Sequence, residues 1–186
     1  MPMNDVLRKM VEDYIHNRMP EYLQTLYDVI TIPSPTGEED RKAQWILEQL
    51  EAMGAEGAYR DEAGNVIYPH CIEGVDKFPL YTAHMDTVFA GVDKITPDID
   101  HILKAPSCGD NSSDVAALLF LIRMMLTLKL RTPAVFAFNV GEEGLGNLKG
   151  SRALTDAFGD RLSYFMAVDG NSDRFVNLAV GSRRYA

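Results

Sequence analysis

Residues 78–88, FPLYTAHMDTV, set the frame for the whole chain. Phe78, Pro79, Leu80 and Tyr81 begin an apolar strand candidate, and the run ends in His84 and Asp86. In an extended backbone, residues i and i+2 point the same way, so these two polar side chains share one face and can share one target. Alone, a His-x-Asp at a strand end also fits a surface turn or a satisfied polar pair.

The chain alternates after this stretch. Residues 112–128, SSDVAALLFLIRMMLTL, carry Val115, Leu118, Leu119, Ile122 and Met125 on one helical stripe. Residues 133–140, PAVFAFNV, are continuously apolar, as a buried strand is. KGSRALTDAF (149–158) is helix-like, and SYFMAVDG (163–170) is a further strand. Before the stretch, residues 3–30 predict a helix in two pieces broken near Pro20. TGEEDRKAQWILEQLEAMG (36–54) predicts a second, with Thr36 as N-cap, Glu39 as its capping-box partner and Gly54 as the stop. A short strand near Tyr59, a turn over 62–65 and NVIYP (65–69) predict a hairpin. Strands alternating with helices imply an α/β fold whose sheet is covered on both faces.

Length and composition narrow the function. A chain of 186 residues fits one domain of ordinary size, and 46% hydrophobic with 24% charged residues is a globular composition. The longest apolar run, VAALLFLI (115–122), is far short of a bilayer span. The first residues, MPMNDVLRKMVEDY, lack the apolar core and cleavage site of an export signal, so a cytoplasmic location is expected. Cys71 and Cys108 are too few for a disulfide framework. A formal charge of −9 argues against nucleic acid as a partner, and the acidity suits a cation instead.

The acids fall where a cation would use them. One strand ends in His84 and Asp86, another in Gly141, Glu142 and Glu143, a third in Asp169 and Gly170, and Asp110 precedes the long apolar helix. In open α/β sheets, ligands collect outside the carboxyl ends of the strands, so these groups are expected to meet in one crevice. Taken singly, GEEG is a solvated turn and GDNSSD an N-cap. Together, such anions repel one another unless a cation neutralises them. One histidine with several carboxylates suits Zn²⁺, Mn²⁺ or Co²⁺ better than Mg²⁺.

AHMDTV, GDNSSDVAALL, NVGEEGLGNLKG and MAVDG, in this order and spacing, resemble the M20 metallopeptidases, the group of peptidase T, carboxypeptidase G2 and aminoacylase. The likeness begins near Tyr27 and includes ITIPSPTGEE (30–39). It implies a three-layer zinc-exopeptidase-like fold, with a mixed sheet flanked by helices. It also implies two zinc ions, with cobalt or manganese as substitutes. His84 is then a metal ligand oriented by Asp86, Asp110 the bridging ligand, Glu143 a ligand and Asp169 the acid completing the His84 metal. Glu142 is the general acid/base, and the substrate is a small peptide or acylated amino acid. Asp114 competes with Asp110 for the bridge, and Ser112 stands where the family pattern has lysine.

The same resemblance makes residues 1–178 the N-terminal part of the catalytic domain and residues 179–186 the start of a connection to a lid and dimerisation domain. RFVNLAVGSRRYA (174–186) reads as the exit strand. The family's distal histidine has no counterpart, since His16, His70 and His101 read as surface or loop residues. Impaired activity and no lid-mediated dimer are therefore expected of this chain. Two competing readings are a non-catalytic fragment that keeps the fold and a magnesium phosphohydrolase. Against the latter, no phosphate-cradling glycine loop accompanies the acids.

Overall fold

The computed structural model describes residues 5–100 and 102–170. His101 and the expected exit strand and lid connection lie outside the described residues. The helices are α1 (Asp5–Ile30), α2 (Asp40–Ala52), α3 (Ser113–Thr127) and α4 (Lys149–Phe158). The strands are β1 (Tyr59–Arg60), β2 (Val66–His70), β3 (Phe78–His84), β4 (Asp98–Asp100), β5 (Ile102–Lys104), β6 (Ala134–Asn139) and β7 (Leu162–Ala167). Five strands form one mixed sheet in the order β1-β2-β6-β3-β7, and β4 with β5 makes a separate hairpin. β3 runs parallel to β6 and β7, whereas β2 runs antiparallel to β6.

The layers follow from the period of two along each strand. Val66, Tyr68, Ala83, Met85, Phe136 and Phe138 face Val29, Ile30, Ile46, Leu50 and Leu119 of α1, α2 and α3. Ile67, Phe78, Leu80, Val135 and Ala137 face the other way, against Leu154 of α4. β6 is buried on both sides along its whole length, which is why its sequence shows no alternation. The mixed α/β architecture with helices on both faces is as expected from the alternation of elements.

Two local expectations are corrected. α1 runs unbroken through Pro20. Proline removes one helical hydrogen bond, but Tyr14 and Tyr22, on either side of it, both pack against the ring of Phe120, at 5.5 and 5.9 Å between centroids. The tertiary contact holds the two halves in line. Likewise, Thr36 does not cap α2, which starts at Asp40 after Glu39. Thr36 and Glu39 reach the candidate site instead.

The hairpin turn also does more than reverse the chain. Asn65 is fully buried, donates from Nδ2 to the Gly150 carbonyl at 3.1 Å and accepts from the Val140 N–H at 3.1 Å. It thereby ties the end of β6 to the start of α4. A Cβ built on Gly150 would lie 2.3 Å from Asn65 Oδ1 and 2.6 Å from the Val140 carbonyl oxygen. Gly150→Ala is therefore expected to destabilise the fold by about 2–3 kcal/mol, through overpacking against backbone that cannot retreat. The shift of the urea midpoint at constant slope measures it; an unchanged midpoint would show that this junction is loose.

Candidate metal centre

The site lies beyond the carboxyl ends of β3, β6 and β7. His84 is the last residue of β3, paired in register with Asn139 at the end of β6. Glu142 and Glu143 follow β6 after Gly141, whose φ of +61° lets the chain turn out of the sheet. Asp169 stands two residues beyond β7, whose course is prolonged beside β3 by the Val168 N–H donating to the Thr82 carbonyl at 2.8 Å. Asp110 arrives on the wide turn of Cys108–Ser112 that leads into α3. It is not helical there (φ −130°, ψ 95°), so it serves as an arm of the turn and does not cap the helix.

These side chains meet at His84 Nε2. Asp110 Oδ1 is 2.9 Å from it, Asp169 Oδ1 3.5 Å and Glu142 Oε2 3.9 Å. His84, Asp110 and Asp169 present ligand atoms within 4.8 Å of one another, and so do His84, Glu142 and Glu143. The residues expected as metal ligands thus form two overlapping groups that share the imidazole. Glu143 sits in the second, beside Glu142. Asp114 belongs to neither group.

The buried base of this crevice is Asp86. Its carboxylate is fully buried and accepts from the Glu142 N–H, the Glu143 N–H and the Thr36 hydroxyl, each at 2.9 Å. His84 Nδ1 lies 3.0 Å from the Asp86 main-chain oxygen and 3.5 Å from its carboxylate. Asp86 therefore orients the imidazole mainly through its backbone. Its side chain is committed to aiming the Glu142–Glu143 turn, a task that sequence spacing did not indicate. Glu39 adds to this by accepting from the Gly141 N–H at 3.1 Å. Ser34 donates to the Met85 carbonyl at 2.7 Å, which fastens the 34–39 segment along the strand end.

The charges respond to this crowding. Burial pulls the His84 imidazole down, but hydrogen bonds and charge from Asp169 and Asp86 outweigh it and leave it raised to about 11. Asp110 is nearer to Nε2 than Asp169 but is the more solvent-exposed of the two. The Asp169 carboxyl is held below its usual range by its hydrogen bond to His84, against burial. At Asp86, burial pushes upward, and His84, the two backbone N–H groups and Thr36 together hold the carboxyl low. Burial raises Glu142 and Glu143, and the neighbouring acids add to it against the opposing charge of His84. Asp114 is pushed up to about 6 by burial and by the charges of Asp169 and Asp110.

One histidine nitrogen with carboxylates from two strand ends and from the turn before α3 is a donor set that fits a divalent transition metal, because a positive charge among them relieves a repulsion the protons now relieve.

The sequence model of peptidase family M28 matches residues 65–180. The chain belongs to peptidase family M28. The family expected from the motifs was M20. Over 134 residues the chain is 36% identical to a Pyrococcus abyssi protein named as a LysW-lysine/LysW-ornithine hydrolase, covering 72% of this chain and 36% of that protein. Human carnosine dipeptidase 1 is similar in structure, with a TM-score of 0.72 and 18% identity over 91% of this chain and 42% of that one. The M20 family metallo-carboxypeptidase Sso-CP2 of Sulfolobus solfataricus has a TM-score of 0.62 and 20% identity, over 79% of this chain and 37% of that one. The fold is thus shared with these two peptidases. The chain spans well under half the length of each of these three proteins.

Three positions depart from the sequence reading. His70 is buried: the Tyr68 hydroxyl meets its Nδ1 at 3.0 Å, and its Nε2 meets the Leu130 carbonyl at 2.7 Å. The carbonyl can only accept, so Nε2 carries the proton and His70 is a strut between β2 and the end of α3. His16 is exposed, as expected. Thr36 and Glu39 were legible only as a capping box. No sequence signal separates that use from the one they have, because their partners are 50 and 102 residues away.

Among the described residues, no helix is long and apolar enough to cross a membrane.

Proposed function

We propose that this site hydrolyses an amide or peptide bond in a small peptide or an N-acylated amino acid, with zinc held in the M20-like arrangement by His84, Asp110, Glu143 and Asp169. The observation that carries this is the convergence of Asp110, Asp169 and Glu142 on one imidazole nitrogen, at 2.9, 3.5 and 3.9 Å. The names of its relatives as hydrolase and dipeptidase support the same reaction class. Bound there, the metal supplies Lewis acidity, polarising a carbonyl and making water acidic enough to lose a proton near neutral pH.

The chain's own residues do the rest. Glu142 takes the proton of the attacking water at its carboxylate and hands it to the leaving amine, and burial has already moved its carboxyl toward neutrality. Asp86 holds Glu142 and Glu143 by their backbone N–H groups, so the acid/base and the ligand keep a fixed separation. The Asp86 main-chain oxygen fixes the His84 ring with Nε2 toward the crevice. Residues 1–178 are proposed as the N-terminal part of a catalytic domain, and the full activity is proposed for a protein of the relatives' length, with this chain impaired beside it.

Zinc uptake by the chain tests the reading directly. Because the metal-free imidazole holds its proton strongly, each zinc that binds must displace it. Affinity should rise by about tenfold per pH unit between roughly pH 6 and 8 if one proton is released. Calorimetry in buffers of different ionisation enthalpy counts that proton. No zinc uptake, or uptake without proton release, would exclude His84 from the centre.

A non-catalytic role for the same fold makes a different prediction. A chain that binds zinc but leaves every peptide and acyl-amino-acid substrate intact, where a full-length relative cleaves them, would favour it.

A further inference from the structure

A cavity of about 360 Å³ is walled by residues 36–40, by the 60–64 turn of the hairpin, and by Gly141, Gly146 and Lys149. Its volume falls in the range of small-molecule sites. Because Gly141 lines it, the cavity backs onto the turn that carries Glu142 and Glu143. The deeply buried charge in its wall is Glu39, only 8% exposed. Glu39 precedes α2 yet makes no capping bond to that helix. Its Oε1 accepts from the Gly141 N–H at 3.1 Å, and among the described residues its other oxygen has no hydrogen-bond partner. A carboxylate this buried, with one neutral donor, has lost its water and gained little in return.

The protein's own cations do not supply what is missing. Arg60 is engaged by Asp40 at 2.5 Å. Lys149 is exposed and, among the described residues, pairs with no acid. Lys42 is buried on the core face of α2 and forms no ion pair with Glu39. Asp61 is committed to the hairpin, accepting from the Gly64 and Asn65 N–H groups at 2.9 and 2.8 Å and from Asn65 Nδ2 at 2.7 Å. With Asp40 and Arg60 neutralising each other, Glu39, Asp61 and Glu62 stand against Lys149, so the wall is net negative.

We propose that this cavity binds a small molecule through a primary ammonium group, held by the carboxylate oxygen of Glu39 that the fold leaves unpaired. An ammonium brings one positive charge and three donors, so it satisfies Glu39 while Oε1 keeps its bond to Gly141. The occupant then sits one hydrogen bond away from the Glu142–Glu143 turn. The inference does not depend on the reading of the neighbouring site as a metal centre, and it is tested without metal.

Amide chemical shifts of the metal-free full chain, followed near pH 7 during titration with n-butylammonium, n-butanol and acetate, test it. Butylammonium should move the Gly37, Gly64 and Gly141 amides, and n-butanol and acetate should not. Glu39→Gln keeps an oxygen for the Gly141 N–H but removes the charge, and it is expected to weaken butylammonium binding by about ten- to a hundredfold, as loss of a charged hydrogen bond does. Ala63→Leu adds bulk to the wall without touching the carboxylate and should weaken binding as well. Ala-Ala and N-acetyl-Ala-Ala identify the source of the ammonium: binding of the first alone places a peptide amino terminus here, and butylammonium binding with neither peptide bound places a free amine. Binding of n-butanol, acetate or N-acetyl-Ala-Ala as tight as that of the ammonium probes overturns the proposal. So does undiminished binding in Glu39→Gln, or no response of these amides to any probe. If Glu39→Gln does not fold by circular dichroism, Ala63→Leu decides on the same criterion. Any of these failures leaves the metal reading standing, since zinc uptake is measured separately.

Discussion

Replacing His84 by alanine is expected to weaken zinc binding by about two to three orders of magnitude. Structural zinc sites bind with about 10–16 kcal/mol shared among four ligands, so one ligand is worth roughly 3 kcal/mol. His84 is the place to look for the full effect because its Nε2 is common to both groups of ligand atoms, whereas each carboxylate belongs to one. The imidazole is also almost completely buried, so solvent does not replace it easily. Chelator competition measures the loss. Asp110→Asn and Asp169→Asn should cost less, since each leaves the Glu142–Glu143 side intact. Wild-type affinity in the alanine variant would mean that the carboxylates alone hold the ion, or that it sits elsewhere.

The second large effect is expected on turnover and not on binding. Glu142→Gln keeps the shape of the side chain and the backbone hydrogen bond to Asp86 but removes the proton acceptor. Loss of a general base typically costs about 10²–10⁴ in rate. Hydrolysis of a peptide or N-acyl amino acid by the zinc-loaded protein should fall by that much, with zinc content unchanged. Glu143→Gln should instead lower zinc content and activity together. The pair separates the two roles that adjacent glutamates would otherwise blur. Equal zinc loss in both variants would place Glu142 among the ligands, as its membership of the same group of atoms permits.

Thr36 and Glu39 show where reading along the chain stopped. A Ser or Thr followed three residues later by Glu, ahead of an apolar helix, satisfies every local criterion of a capping box. The folded chain instead brings Asp86 and Gly141 within 2.9 and 3.1 Å of those side chains, and the charged and buried partners win over the helix end. Pro20 is the reverse case: a local breaker is overridden because Tyr14 and Tyr22 clasp one ring across it. Lys42 left a visible trace, a lysine on the 42–43–46–50 stripe. Its burial depends on what covers that face of the helix, and that is a long-range fact.

The sequence by itself determined the elements and the chemistry available to them. Periods of two and 3.6, the strand ends bearing His84, Glu142, Glu143 and Asp169, and Asp110 ahead of α3 are local patterns, written in neighbouring residues. Only the tertiary structure decided which atoms meet. It divided the acids into two groups about one imidazole, turned the Asp86 carboxylate toward the backbone of the Glu142–Glu143 turn, and buried His70 as a strut. The physical reason is that a polar group taken out of water must find a partner wherever the fold supplies one, and such partners are chosen by distance in space and not by distance along the chain.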